Sequence, residues 1–306
     1  MRLALKATCI TTLATLLAAQ AHADTTVSTA TTAPLNTAAA GNINITSDGS
    51  ITPTTGTAVT INSNNTVTNA GKISLLDINN VTGIDAQAGV SSTINSSGTI
   101  SVDETYTRTD TNGDTVLDGP YANGTNRFGI RTEGAFNGNI TNSGAVTVRG
   151  NNSGGIVLNG PLTGTFSNSG AVTVTGDNTV GIKLGDVTGN VTSAGAISVL
   201  GGASPGLVMG NIGGQVVVHG SITTTGYGTT QVPTDTSKLT AQNLEQGGSA
   251  MIVGGNVAGG VLIAAAPAST TDTTVDADKD GIADASEGTS NIVTYAAAPA
   301  LLVGSS

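Results

Sequence analysis

From Gly129 onward the chain alternates apolar and polar residues in short bursts, as in Ala145-Val146-Thr147-Val148, where every second side chain is aliphatic. Period two marks half-buried strands, and bursts of three to five residues predict short ones. β-branched residues and a Gly every few positions argue against helices. The bursts also recur at a fixed interval. Gly129 to Gly154, Gly155 to Val180 and Gly181 to Pro205 open as GIRTEGAFNGNITNSGAVTVRG, GIVLNGPLTGTFSNSGAVTVTG and GIKLGDVTGNVTSAGAISVLGG, with lengths of 26, 26 and 25 residues. A fourth copy, GLVMGNIGGQVVVHGSITTTG, starts at Gly206.

Aligned, with one deletion after Gly185, the four copies place like residues at like positions. Ile130, Ile156, Ile182 and Leu207 form one ladder, Phe136, Leu162, Val187 and Ile212 a second, and Ile140, Phe166, Val191 and Val216 a third. Val146, Val172, Ile197 and Ile222 form a fourth, and Val148, Val174, Val199 and Thr224 a fifth. A repeat of this length, holding three short strands between Gly and Asn corners, is one coil of an all-β solenoid. Successive coils would hydrogen-bond at roughly 4.8 Å and stack the ladders inside a narrow prism. Gly supplies the positive φ of tight corners, and Asn tolerates it. Asn142 and Asn168 fall at equivalent places, where they either point inward and bond along the stack or sit exposed at a corner.

Weaker copies extend the pattern in both directions. Asn69 to Leu75 and Ser96 to Val102 match the NSGAVTV strand, and Ala250 to Val253 and Ala300 to Val303 match the GIVL opening. The expectation is about eight coils over residues 41–306, roughly 40 Å long, preceded by a flexible segment, 24–40. No terminal cap is visible, which predicts that the natural chain continues. Three stretches break the period, 103–126, 227–249 and 264–291. Such insertions bulge from corners, where function often sits.

Composition narrows the picture. Residues 1–23 read as a secretory signal: Arg2 and Lys6, an apolar stretch from Ala7 to Ala19, and a small-residue Ala21-His22-Ala23 cleavage site. The apolar stretch is too short for a retained anchor, which needs roughly 20 residues. Cleavage removes Cys9, His22 and two basic residues, leaving eight basic side chains against 20 acidic ones, a net charge of −12. Disulfides and Cys or His metal sites are thereby excluded, and only oxygen ligands remain. Nucleic acid is a poor partner for so acidic a chain. Aromatics at 2% with no Trp disfavour a thick globular core.

The oxygen ligands have a candidate arrangement. Asp276, Asp278, Asp280, Asp284 and Glu287 occupy places 1, 3, 5, 9 and 12 of a loop, with Gly281 at 6 and the carbonyl of Ile282 at 7, the spacing of a Ca2+ loop. It resembles the loops of thrombospondin type 3 repeats in Asp-x-Asp-x-Asp-Gly-Ile-x-Asp. A weaker candidate is Asp110, Asn112, Asp114, Val116 and Asp118, which has Thr115 where Gly is expected. The plain alternative for both is a solvated acidic loop. A bound ion would order the loop locally.

The signal, the cysteine-free mature chain and the GNITNSGAVTVRGNNSGGIVLNG repeats together resemble the N-terminal passenger region of bacterial autotransporters, over roughly Gly41 to Ser306. That resemblance implies a right-handed parallel β-helix, displayed at the cell surface by a C-terminal outer-membrane barrel of the same polypeptide, with a structural or adhesive role toward a host surface or other copies. The barrel is not in this sequence. An enzyme acting on polysaccharides needs two carboxylates at a working separation. Glu133, Asp177 and Asp186 are scattered singles, and His219 lacks a nucleophile and acid pattern, so the expectation is no catalytic residues and no organic cofactor. A passive spacer is the other alternative. Arg127, Arg131 and Arg149 read as solubilising side chains rather than a ligand patch.

Overall fold

The structure, a computed structural model, describes residues 23–228, 235–264, 274–277, 283–284 and 289–304. The expected signal segment, except Ala23, therefore lies outside the described residues, as do Asp278, Asp280, Ile282 and Glu287 of the first calcium candidate.

Three parallel sheets of nine strands each run the length of the stack. Every coil contributes one strand to each sheet. Ile140–Asn142, Val146–Arg149 and Gly154–Leu158 are one such set. Each strand pairs with its counterparts in the neighbouring coils, as in Ile140 with Phe166, Val146 with Val172 and Ile156 with Ile182. This is a right-handed parallel β-helix, and all five sequence ladders are in register within it. The ladder through Phe136, Leu162, Val187 and Ile212 lies outside the three sheets, with a two-stranded pair joining Phe136 to Leu162 and isolated bridges carrying it on to Ile212.

The register follows from burial. Because side chains alternate across a strand, a slip of one residue would turn a whole ladder outward. Val146 and Val148 are buried at 0% and 1% exposure while Thr147 between them is exposed, and the same holds for Val172, Thr173 and Val174. One continuous apolar cluster runs from Val27 to Val253. Each inward aliphatic side chain contributes roughly 1.5–3 kcal/mol by leaving water.

Two details differ from the sequence reading. The stack has nine coils rather than eight, because Thr25–Val27, Ala30–Thr31 and Leu35–Asn36 form a first coil within the segment expected to be flexible. That coil is shorter and its strands are poor in aliphatic residues, so its periodicity is faint. The second concerns glycine. In the NSGAVTV strands glycine serves close approach, since a Cβ on Gly144 would lie 1.8 Å from the carbonyl oxygen of Gly98, and one on Gly170 1.9 Å from that of Gly144. Positive φ in these coils is shared by both residue types, as expected: Gly138, Gly164 and Gly176 have φ of 136°, 152° and 144°, and Asn126, Asn152 and Asn178 have 55°, 51° and 54°, one such Asn per coil at the corner between the second and third sheets.

Candidate functional site at one corner of the stack

That corner is also where two insertions leave. The strand Thr99–Asp103 ends at the first of them and Arg127–Thr132 begins after it, whereas Ser221–Thr225 and Met251–Val253 bracket the second. The two departures are four coils apart along one edge. Both insertions bend toward each other over the intervening corners.

The first insertion is anchored by a buried ion pair. Arg127 Nη1 lies 2.8 Å from Glu104 Oε2, and both side chains are 3% exposed. Glu104 also accepts the backbone N–H groups of Asn123 and Gly124, while Arg127 donates to the carbonyls of Ile78 and Arg149. A buried charge pair is tolerated only when its remaining hydrogen bonds are met, as they are here. Arg149 in turn donates to the carbonyls of Tyr106 and Tyr121. Arg131 pairs with Asp85 at 2.8 Å and with Glu133, and sits over the Phe128 ring. Of the three arginines read from sequence as solubilising, Arg127 and Arg149 thus brace the corner and its first insertion, whereas Arg131 links neighbouring strands on the outer face of the third sheet.

Val116, Tyr121 and Ala122 of the first insertion are buried outside the main cluster. Tyr121 is fully buried, its ring is covered by Arg108 at 4.4 Å, and its hydroxyl donates to the Gly226 carbonyl at 2.8 Å. Burial pushes the Tyr121 hydroxyl up to about 12, so it stays neutral and donates. Reciprocal bonds tie the insertions together: Asn112 Nδ2 donates to the Lys238 carbonyl, Lys238 Nζ to the Asn112 carbonyl, and Asn243 Nδ2 to the Leu117 carbonyl.

The weaker calcium candidate lies at this junction. Asp110 accepts the N–H groups of Gly113 at 2.7 Å and Thr115 at 2.9 Å, and Asp118 accepts both the N–H and the hydroxyl of Thr111. Those bonds, the Thr115 N–H foremost for Asp110 and the Thr111 hydroxyl for Asp118, hold both carboxyls below the ordinary aspartate value. Thr115, at the place expected of glycine, has a φ of 71°. Asp114 Oδ1 accepts the Val116 N–H, whereas Asp114 Oδ2 is buried without a partner. Among the described residues no three acidic, His or Cys side chains gather as a metal cluster. Of the first candidate, Asp284 is buried and accepts the Ala277 N–H at 2.8 Å, and Asp276 is half-buried.

Beside the ion pair is a polar depression of about 330 Å³ between Asp77, Asn79, Glu104, Tyr106, Asn123 and Arg127. Asp77 and Asn79 belong to the preceding coil, and Asp77 Oδ1 accepts the Thr105 N–H. Sequence reasoning missed the meeting of the two insertions. One signal was available: both interrupt the repeat at the same phase, just before the Gly-Ile-type opening. No protein-family model matches the chain, and neither a curated protein nor a solved structure is matched by it.

Proposed function

We propose that this chain is an exported, surface-displayed passenger: a stiff β-helical rod whose two joined insertions form its contact patch. The observation that supports the reading is the bracing between insertions that leave one corner four coils apart. A spacer has no use for a buried ion pair and a buried tyrosine on one edge, because the stack is already held by its ladders. The patch is polar and has one aromatic at the depression, Tyr106, which suits adhesion to a polar partner on a host surface or to another copy. Display follows the autotransporter passengers that the sequence resembles, with an outer-membrane barrel of the same polypeptide as the carrier.

Calcium belongs to the same proposal. Asp110, Asn112, Asp114, the Val116 carbonyl and Asp118 would hold it in the first insertion, and the Asp276 loop would hold another. The unpartnered Asp114 Oδ2 favours the first site. The ion would supply a hard positive charge that draws the loop's oxygens together.

The test is cell adhesion with the passenger displayed intact, with 104–126 replaced by a short Gly-Ser linker, and with the whole passenger removed. Loss with the linker places adhesion on the insertions. Retention with the linker but loss on full deletion moves it to the coil faces. Adhesion unchanged in both removes the adhesive reading in favour of a spacer.

A further inference from the structure

Between the two departures, three consecutive corners are linked along the edge. Asp177 N–H donates to Asn151 Oδ1 at 2.8 Å, and Gly202 N–H donates to Asp177 Oδ1 at 2.8 Å. The second insertion comes down on this line. Ala203 N–H donates to the Gln246 carbonyl, and Gly248 N–H to that of Ser204. Glu245 is thereby set over Gly202. A Cβ on Gly202 would lie 3.2 Å from Glu245 Oε2 and 3.6 Å from Asp177 Oδ1, so two carboxylates converge above a residue that has no side chain to separate them.

Few charges offset them. Glu245 Oε2 accepts Gln242 Nε2 at 3.2 Å. Arg108, held to the carbonyls of Gly119 and Leu117, faces the pair from the first insertion, and its charge opposes the rise at Glu245 as the smallest of the effects there. Tyr121, the other titratable neighbour, stays neutral. Two carboxylates this close cannot both ionise without cost, and a proton shared between them removes the repulsion.

We propose that Asp177 and Glu245 form a proton-operated clasp: with one proton between them the second insertion is held to the stack, and loss of that proton releases it. Burial, then the Asp177 charge and the hydrogen bond to it, raise the Glu245 carboxyl above its ordinary value, in accord with the geometry. The sign follows. A group raised on folding contributes stability that is complete below its unfolded value, about 4.3, and is lost as pH rises through the folded one. The clasp is closed in acid and open above that window, whatever the patch contacts.

Hydrogen exchange of Thr240 to Ser249 in the full chain, corrected for the intrinsic pH dependence of exchange, tests this. Wild-type protection should fall as pH rises through the raised Glu245 value, by about tenfold for each pH unit by which folding raises that carboxyl. Glu245→Gln should stay protected at all pH values, because the amide can donate to Asp177 as the protonated acid does. Asp177→Asn should shallow the profile without abolishing it, because the burial of Glu245 remains. Protection of Val172–Thr175 and Ile197–Leu200 reports that each variant is folded. A wild-type profile as flat as that of Glu245→Gln overturns the proposal, and so does a carboxyl titration of Glu245 at the ordinary glutamate value.

Discussion

Asn142 donates its side-chain amide to Asn168 Oδ1, at 2.8 Å, in the interior of the stack. Both residues are fully buried, and each also donates to the carbonyl two residues on, Gly144 and Gly170. The line extends to Asn69 and Ser96 in the preceding coils, where Asn69 Nδ2 donates to Ser96 Oγ. These amides close the corner that leads into the second sheet. Asn168→Ala leaves the Gly170 carbonyl without its side-chain donor, so it should cost about 1–3 kcal/mol. Ile156→Ala, which empties apolar space in the preceding coil, should cost about 2–5 kcal/mol. Urea denaturation midpoints check both, and a neutral Asn168→Ala would reduce the ladder to space filling.

Glycine and asparagine corners should respond in opposite ways to alanine and glycine. Gly170→Ala forces a methyl against the Gly144 carbonyl, so neighbouring coils must part, at a cost of about 3 kcal/mol or more. Asn178, with a φ of 54°, should accept glycine with little change, whereas Asn178→Val should lose about 1–2 kcal/mol or more from the left-handed strain. The same denaturation series measures them. Equal losses for Gly170→Ala and Asn178→Gly would contradict the division between close approach and positive φ.

The ladders were legible because a repeat shows one physical constraint many times. Ile130, Ile156 and Ile182 identify one another. Single features do not have that advantage. Asn142 could not be turned inward from sequence, since an inward amide and an exposed corner amide have the same spacing, and only its burial decides. Glu104 and Arg127 each lie at an end of an insertion, where no period fixes their faces. Glu245 and Asp177 are joined only by the arch of the second insertion over intervening corners, which no local pattern encodes. Thr25 to Asn36 escaped for a different reason: the positions in register with buried aliphatics of the next coil are Thr25, Val27, Thr31 and Leu35, too few aliphatics to display a period.

Glu104 and Arg127 hold the first insertion to the stack. Glu104→Ala leaves a guanidinium buried and removes the acceptor of two N–H groups, so the loss should be about 3–5 kcal/mol. Glu104→Ala combined with Arg127→Met should recover part of it, because no unpaired charge then remains buried. A double-mutant cycle measures the coupling. Additive losses would show that the pair is not a unit.

Calcium should act on the loops and spare the ladders. In millimolar calcium, sufficient for a weak extracellular site, amides of Asp110 to Asp118 should exchange more slowly than with a chelator, and strands such as Val172–Thr175 should not change. Asp114→Ala should abolish the difference. Identical exchange with and without calcium would make this stretch a solvated acidic loop closed by its own hydrogen bonds.

Acid should loosen the first insertion while it tightens the second. Asp110 and Asp118 are depressed below the ordinary 3.8, the Thr115 N–H and the Thr111 hydroxyl being the leading causes. A depressed carboxyl contributes stability that is complete above its unfolded value, about 3.9, and disappears as pH falls through the folded one. Exchange of Asp110 to Asp118 should therefore accelerate below about pH 4. Asp118→Asn should flatten that response, because its amide no longer titrates, although it accepts the Thr111 donors less strongly. Because Asn112 and Lys238 bind the insertions to each other, the first should begin to free itself in the same acid range that closes the clasp on the second. Matched, same-direction pH responses in the two segments would show that they titrate as one body and would refute the separate assignment of these carboxyls.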